Sequence, residues 1–239
     1  MGLSQDLNTG FAADFDRRGF ALVSACVDHN QIDGLKEALN MPGLARSERG
    51  GATYGIRNLL GLEVVRQVAD APVIAAHLLL LMGANCKPVR GIFFDKAVGA
   101  NWPVPWHQDM SLAVHKSREV EGWTNWSVKR GIPHARPPAE ILDRMVTMRL
   151  HLDDCPVDNG ALRLLPGSHR AGLLSREAVQ GMEGAKSEII VASAGDALFM
   201  RPLILHASSP AKAPSHRRVL HLEFAPQDLL PEGLEWAAA

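Results

Sequence analysis

Two short stretches of this 239-residue chain carry side chains that bind metals, at spacings that let them act together. In "VPWHQDM", His107 and Asp109 are two positions apart. On a strand, positions i and i+2 face the same way, so this imidazole and carboxylate can reach one ion. His206, in "RPLILHASSPA", ends an apolar stretch after the turn "SAGDAL", where a strand would hand a histidine to the open end of a barrel. Two imidazoles and one carboxylate on one face leave the opposite coordination positions free. That set suits oxygen-activating iron(II), which must also take a chelating co-substrate. Eleven residues past His206 comes "HRRVLHLEFA", with Arg217 and Arg218 side by side. A guanidinium fork matches the distal carboxylate of 2-oxoglutarate, and the Ser208 hydroxyl could join it there.

An isolated H-x-D is common by chance, and this chain holds a second one, His151-Leu152-Asp153 in "MRLHLDDC". If it lies on one strand, Arg149, His151 and Asp153 share a face and could also enter a pocket. The alternatives for His151 and Asp153 are a polar network behind the site or an exposed strand face. A cation at Arg149 is costly to bury unless something anionic pairs with it. That partner is either a substrate or co-substrate carboxylate, or an acidic neighbour such as Asp153 or Glu223. Trp102, Trp106, Trp123 and Trp126 flank the presumed pocket mouth, where packing of a loop onto the barrel is their expected role. "PGSH", ending at His169, reads as a turn. Gly195-Asp196 reads as the tight turn before the strand that delivers His206.

The elements that must position these residues fall into two textures. The part over about 1–85 reads as mostly helical around one early strand, "GFALVSACV" at 19–27. Asp28 can cap the helix that follows, in which Ile32, Leu35 and Leu39 recur at helical spacing. A further helix is predicted over about 62–82, interrupted or kinked near Pro72. From 86 to about 228, short apolar runs are separated by Gly, Pro, Asn and Asp: 89–94, 146–152, 161–165, 188–192, 197–200 and 219–224. Short strands punctuated this often imply a sandwich or barrel. Residues 116–144, rich in Trp, Pro and charge, read as a long insertion covering one end of the β-structure, with a helical turn after Pro137-Pro138. The whole fits a single domain over 1–239.

Composition removes other classes. The formal net charge is −1 and there is no block of like charge, hence no footprint for nucleic acid and no polybasic stretch for a membrane. The longest apolar run, "VIAAHLLLLM" at 73–82, is too short to span a bilayer. No secretory signal pattern opens the chain, and its three cysteines form no CxxC pair, so a cytoplasmic protein with reduced thiols is expected.

Taken in order, "PWHQD", "DNGALRLLPGSHRAG", "AGDALFMRPLILHAS" and "HRRVLHLEFA" resemble the phytanoyl-CoA dioxygenase family, over roughly 89 to the end. "DRRGFALVSACV" also looks like that family's first strand. The resemblance implies a mainly β fold with flanking helices and a double-stranded β-helix (jelly-roll, cupin-like) core. It implies iron(II), 2-oxoglutarate and dioxygen, with His107, Asp109 and His206 on the metal and Arg217 on the co-substrate. Arg218 would then point away. It puts His151 and Asp153 on the strand after the metal motif, and so favours the first H-x-D. Arg57, in "YGIRNLL", stands about where relatives carry a basic residue near the co-substrate. In two respects the chain departs: Arg149 replaces a tryptophan common in relatives, and the insertion is longer than in the simplest members. Both bear on the substrate rather than on the metal chemistry.

With Asp109 present, hydroxylation of a C–H bond in a small metabolite, a carboxylated one being one option, is expected, since halogenating relatives carry a small residue there; desaturation, epoxidation and ring closure use the same triad. The competing readings are a cupin-like metalloenzyme that does not use 2-oxoglutarate and a non-catalytic β-sandwich binding protein. Arg217 counts against the first and the intact triad against the second.

Overall fold

Alternation along one strand divides the interior in two. In β14 (Arg217–Pro226), Leu220, Leu222 and Phe224 face one way, while Arg217, Val219, His221 and Glu223 face the other, and all seven are buried. A strand covered on both faces must lie between two layers. In the computed structural model, which describes residues 2–182, 184–212 and 215–237, β14 is the middle strand of a seven-stranded antiparallel sheet. The order is β1 (Phe20–Val23), β12 (Ala197–Met200), β9 (Val146–His151), β14, β4 (Cys86–Lys96), β3 (Ala52–Arg57) and β2 (Arg46–Arg49). A second sheet runs β11 (Glu188–Ile190), β10 (Leu162–Leu164), β13 (His206–Ser208) and β5 (Val104–His107). Together they make the double-stranded β-helix core.

The apolar face of the larger sheet is covered by the helices α1 (Gly2–Arg18), α2 (His29–Asn40), α3 (Glu63–Ala69) and α4 (Pro72–Met82). Ile32, Leu35 and Leu39 of α2 and Ile74, Leu78 and Leu81 of α4 pack in one cluster with Met148, Leu150, Leu220 and Leu222. Each such fully buried aliphatic side chain stabilises the fold by about 1.5–3 kcal/mol. Asp28 starts α2 with a reciprocal capping box: its carboxylate accepts from the Gln31 amide at 2.9 Å, and the Gln31 side chain accepts from the Asp28 amide at 3.0 Å. Among the described residues no single helix is long and apolar enough to cross a membrane. The pair α3 and α4, bent by 49°, reaches that length and composition, but Ile74, Leu78 and Leu81 are buried in this cluster.

Several expectations are corrected. The first third is not helical around one strand, because β2 and β3 extend the large sheet beyond β4. The insertion is not a loop: β7 (Thr124–Lys129) and β8 (Ile132–Arg136) form a hairpin that joins β6 (Leu112–Ala113) in a third sheet, followed by the short helix α5 (Ala139–Asp143). Trp123, Leu112 and Leu142 bury this layer against Leu229 and Leu234. His206 begins β13 rather than ending a strand. Gly195, at φ +94, turns the chain into β12 instead, where an added Cβ would meet the Val27 carbonyl at 2.6 Å. Asp109 lies beyond the end of β5, so the metal motif is a strand terminus and not an i, i+2 pair within a strand.

Candidate metal centre

The pairing of β5 with β13 sets His107 opposite His206. Between this pair and the next, Val104 opposite Ser208, β5 uses one more residue than β13, a bulge beside Pro105. Bulges re-aim side chains and tolerate proline, which has no ladder hydrogen to lose. Each histidine is then fixed by its own backbone. His107 Nδ1 lies 2.9 Å from the Pro105 carbonyl and His206 Nδ1 lies 3.0 Å from the Ile204 carbonyl. A carbonyl only accepts, so both Nδ1 atoms carry the hydrogen and both Nε2 atoms keep a lone pair.

Those Nε2 atoms flank the Asp109 carboxylate, at 3.9 Å from His107 and 3.7 Å from His206. The ligand atoms of all three residues lie within 4.8 Å of one another, the one such group among the described residues. Asp109 is aimed by its backbone amide, which donates to the Pro202 carbonyl at 2.9 Å. Between the two, the buried Gln108 side chain bonds the Gly172 and Leu203 carbonyls and the Leu174 amide. Sequence reasoning passed over Gln108, which nonetheless locks the motif in place. Asp109 Oδ2 is buried with no hydrogen-bond partner. An orphaned carboxylate oxygen between two neutral imidazoles is costly unless a cation joins it, and these donors suit a divalent first-row metal. Burial pushes His206 down to about 3, leaving it neutral. Burial would raise Asp109, but its surroundings, the Arg149 charge among them, hold it at about 2 and so ionised.

The triad opens into a cavity of about 400 Å³ between the two sheets. Arg217 reaches it from β14 and donates to the Gly160 carbonyl, while Arg218 points outward to Asp153 at 2.7 Å. Ser208 faces the same end from β13 of the smaller sheet and accepts from the Lys96 ammonium at 2.8 Å. Lys96 is opposite Arg217 in the β4–β14 register and is almost wholly buried; burial first, then Arg217 and Arg149, push it down to about 7.

Arg149 also lines the cavity, 3.1 Å from His221. Neither acidic partner considered for it is free. Asp153 binds Arg218 and Lys36, and Glu223 binds Arg90 at 2.9 Å with His221 at 3.6 Å. Asp153 therefore does not share the inward face of Arg149, because the chain has left the strand after His151. His151 itself is buried beside the Asp196 carbonyl, at 3.3 Å. The second H-x-D does not converge.

Arg57 lines the cavity from β3, and of the tryptophans only Trp102 does so, edge-on to Tyr54. Trp106 lies beneath Arg163, and Trp123 and Trp126 stack in the third layer. Arg90, Lys129 and Tyr54 were not identified from sequence, and His221 and Glu223, the latter considered only as a partner of Arg149, were not identified as cavity residues. For these two the signal was available, since extending the alternation from Arg217 by two and by three steps of two residues reaches them.

Residues 15–219 match the family model described as "Phytanoyl-CoA dioxygenase (PhyH)". L-proline trans-4-hydroxylase of Streptomyces griseoviridis is 28% identical over 153 residues, which are 53% of this chain and 48% of that protein. The match thus spans about half the length of this curated relative. Among solved structures, the non-haem alpha-ketoglutarate-dependent epimerase SnoN from nogalamycin biosynthesis superposes with a TM-score of 0.66 at 19% identity, covering 93% of this chain and 82% of that one. HygX from Streptomyces hygroscopicus with nickel and 2-oxoglutarate bound gives 0.63 at 15%, covering 92% and 87%. EctD from S. alaskensis in its apoform gives 0.67 at 19%, covering 90% and 75%. At such identities the likeness speaks for the fold.

Proposed function

Because the chain belongs to the phytanoyl-CoA dioxygenase family, we propose that it is an iron(II)- and 2-oxoglutarate-dependent oxygenase that hydroxylates a C–H bond of a small molecule. The observation that carries this is the unpartnered Asp109 carboxylate oxygen between two histidines whose Nε2 atoms are left free to ligate. His107, Asp109 and His206 would hold the metal. Iron(II) bound there with 2-oxoglutarate and dioxygen supplies the oxidation, with succinate and carbon dioxide as co-products.

The chain's own residues bind, orient and exclude water. Arg217 offers the far carboxylate of 2-oxoglutarate a guanidinium already fixed by the Gly160 carbonyl, and Ser208 adds a hydroxyl from the facing sheet. Lys96 and Arg149 add buried positive charge with no carboxylate in an ion pair among the described residues. Burying three cations is unfavourable without an anion beside them, so the pocket favours the dianionic co-substrate. Tyr54, Phe94, Trp102 and Ile92 give the rest of the cavity an apolar wall that keeps water from the reacting bond.

L-proline trans-4-hydroxylase and the epimerase from nogalamycin biosynthesis are named for small-molecule chemistry, and a cavity of this size is consistent with such a substrate here. Hydroxylation is preferred over epimerisation or ring closure because the named curated relative is a hydroxylase. The test is anaerobic titration of the iron(II) protein with 2-oxoglutarate, followed by exposure to oxygen and assay of succinate. Tight 2-oxoglutarate binding with substrate-stimulated succinate release is the expected result. A protein that binds iron(II) but not 2-oxoglutarate would return the site to the cupin-like reading.

A further inference from the structure

The charges of the cavity do not balance. Arg57, Arg90, Lys129, Arg149 and Arg217 line it, against only Asp109 and Glu223. A ferrous ion and 2-oxoglutarate carry equal and opposite charge, so their arrival leaves the positive surplus unchanged. Arg90 is already committed to Glu223 at 2.9 Å. Arg217, with Arg149 and Lys96 nearby, serves the co-substrate end. Arg57 and Lys129 remain. Neither is in an ion pair among the described residues, and Lys129 makes only a 3.3 Å contact to the Ser111 hydroxyl.

Strand register separates this pair from the co-substrate arginine. Arg57 is opposite Ile92, which is opposite His221, so Arg57 stands two strands from β14. Arg217 is four residues further along β14 from His221. At about 4.8 Å between strands and 3.3 Å per residue, the Arg57 and Arg217 backbones are roughly 16 Å apart, at opposite ends of the cavity. Lys129 comes from the far side, on the β7–β8 hairpin of the insertion, and closes over the same end. Between the two ends lies the triad, while the edge-to-face Tyr54 and Trp102, ring centroids 5.2 Å apart, wall the co-substrate end, where Trp102 lies 5.7 Å from Lys96 Nζ.

Resting on the reading of the site as an iron(II)/2-oxoglutarate oxygenase, we infer that its substrate is a small carboxylic acid whose carboxylate is clamped between Arg57 and Lys129. Its carbon skeleton lies in the cavity between that clamp and the triad, with a C–H bond presented toward the triad. Two converging cations without a counter-ion repel each other, and a carboxylate between them removes that repulsion. The ordinary values of both groups are lowered in keeping with this: Arg57 by burial and then Arg90, Lys129 by burial, then Arg90 and Arg57. The clamp moves Arg57 from the co-substrate, where the family resemblance put it, to the substrate. It also gives the insertion a task, since without the hairpin the cavity has one free cation at this end instead of two.

The test uses manganese(II)-loaded protein saturated with 2-oxoglutarate, and reads binding from the rise in melting temperature. The probes are small carboxylic acids, L-proline among them, each paired with its uncharged primary amide; a second arm holds small phosphate monoesters. The acids should stabilise the protein and their amides should not. Arg57→Gln and Lys129→Gln should each weaken the best acid by about tenfold or more, while the affinity for 2-oxoglutarate stays within about twofold of the unaltered protein. The clamp is overturned if no acid binds, if amides match acids, or if both variants bind the best acid normally. A phosphate monoester as the best probe would overturn the carboxylate assignment, and a tenfold loss of 2-oxoglutarate affinity in Arg57→Gln would return Arg57 to the co-substrate. Binding of 2-oxoglutarate and succinate release by the unaltered protein are measured alongside. Their absence defeats the oxygenase reading, whereas intact co-substrate binding with indifferent acids defeats only the clamp.

Discussion

His206 stands directly opposite His107 across the β5–β13 pair, with ring centroids 4.1 Å apart. The two residues are 99 positions apart in the chain, and nothing but strand pairing brings them together. Each ring is tied through Nδ1 to a carbonyl two residues back, which turns both Nε2 atoms to the Asp109 carboxylate.

That geometry separates the two H-x-D motifs experimentally. Asp109→Ala removes the anionic member of the triad, so iron(II) affinity should collapse. Anaerobic 2-oxoglutarate should then give no visible charge-transfer band. Asp153→Ala should leave the band intact and instead lower stability by about 1–2 kcal/mol, because Arg218 and Lys36 lose a partly buried partner. A normal band in Asp109→Ala would dismantle the site.

Arg217 and Arg218 are neighbours with opposite outlooks. Arg217→Ala should weaken 2-oxoglutarate binding by about 1.5–3 kcal/mol with iron binding retained. Arg218→Ala should leave co-substrate affinity unchanged, since its guanidinium is taken by Asp153 outside the cavity. Calorimetry on both variants checks the pair, and equal losses would mean that β14 is out of register.

Arg149 is a buried cation without an acidic partner of its own. In Arg149→Met the ligand-free protein should melt at the same temperature as the original or higher, because the desolvated charge is gone. Its stabilisation by 2-oxoglutarate should be smaller, by about 1.4 kcal/mol for each tenfold loss of affinity. Thermal melts with and without co-substrate provide the measurement. An unchanged ligand increment would remove Arg149 from the co-substrate site.

Lys96 makes the ligand-free protein sensitive to pH. Its ammonium is lowered in the fold to about 7 from the ordinary 10.5, so between these values the unfolded chain binds the extra proton. The stability penalty is therefore full below about pH 7, shrinks as pH rises, and is gone above the ordinary lysine value. Lys96→Met should flatten that rise in denaturant melts. A dianion bound beside Lys96 should draw a proton onto it, so 2-oxoglutarate binding at about pH 8 should take up protons. Calorimetry in buffers of different ionisation enthalpy would detect this, and the uptake should vanish in Lys96→Met.

The sequence by itself determined the chemistry set and much of the local structure. The residue types at 107, 109, 206 and 217 could be read directly. So could the helix cap at Asp28, the interruption at Pro72, and the opposed outlooks of Arg217 and Arg218, because each depends on neighbours within a few positions. Only the tertiary structure decided which H-x-D meets a third ligand, that Arg149 lacks an acidic partner, and that Arg57 and Lys129 share one end of a cavity. It also decided that residues 116–144 form a hairpin layer rather than a loop. All of these turn on which strand pairs with which, and in what register. A one-residue slip sends every side chain to the opposite face, and that choice is made by burial summed over segments far apart in the chain, not by any short stretch of it.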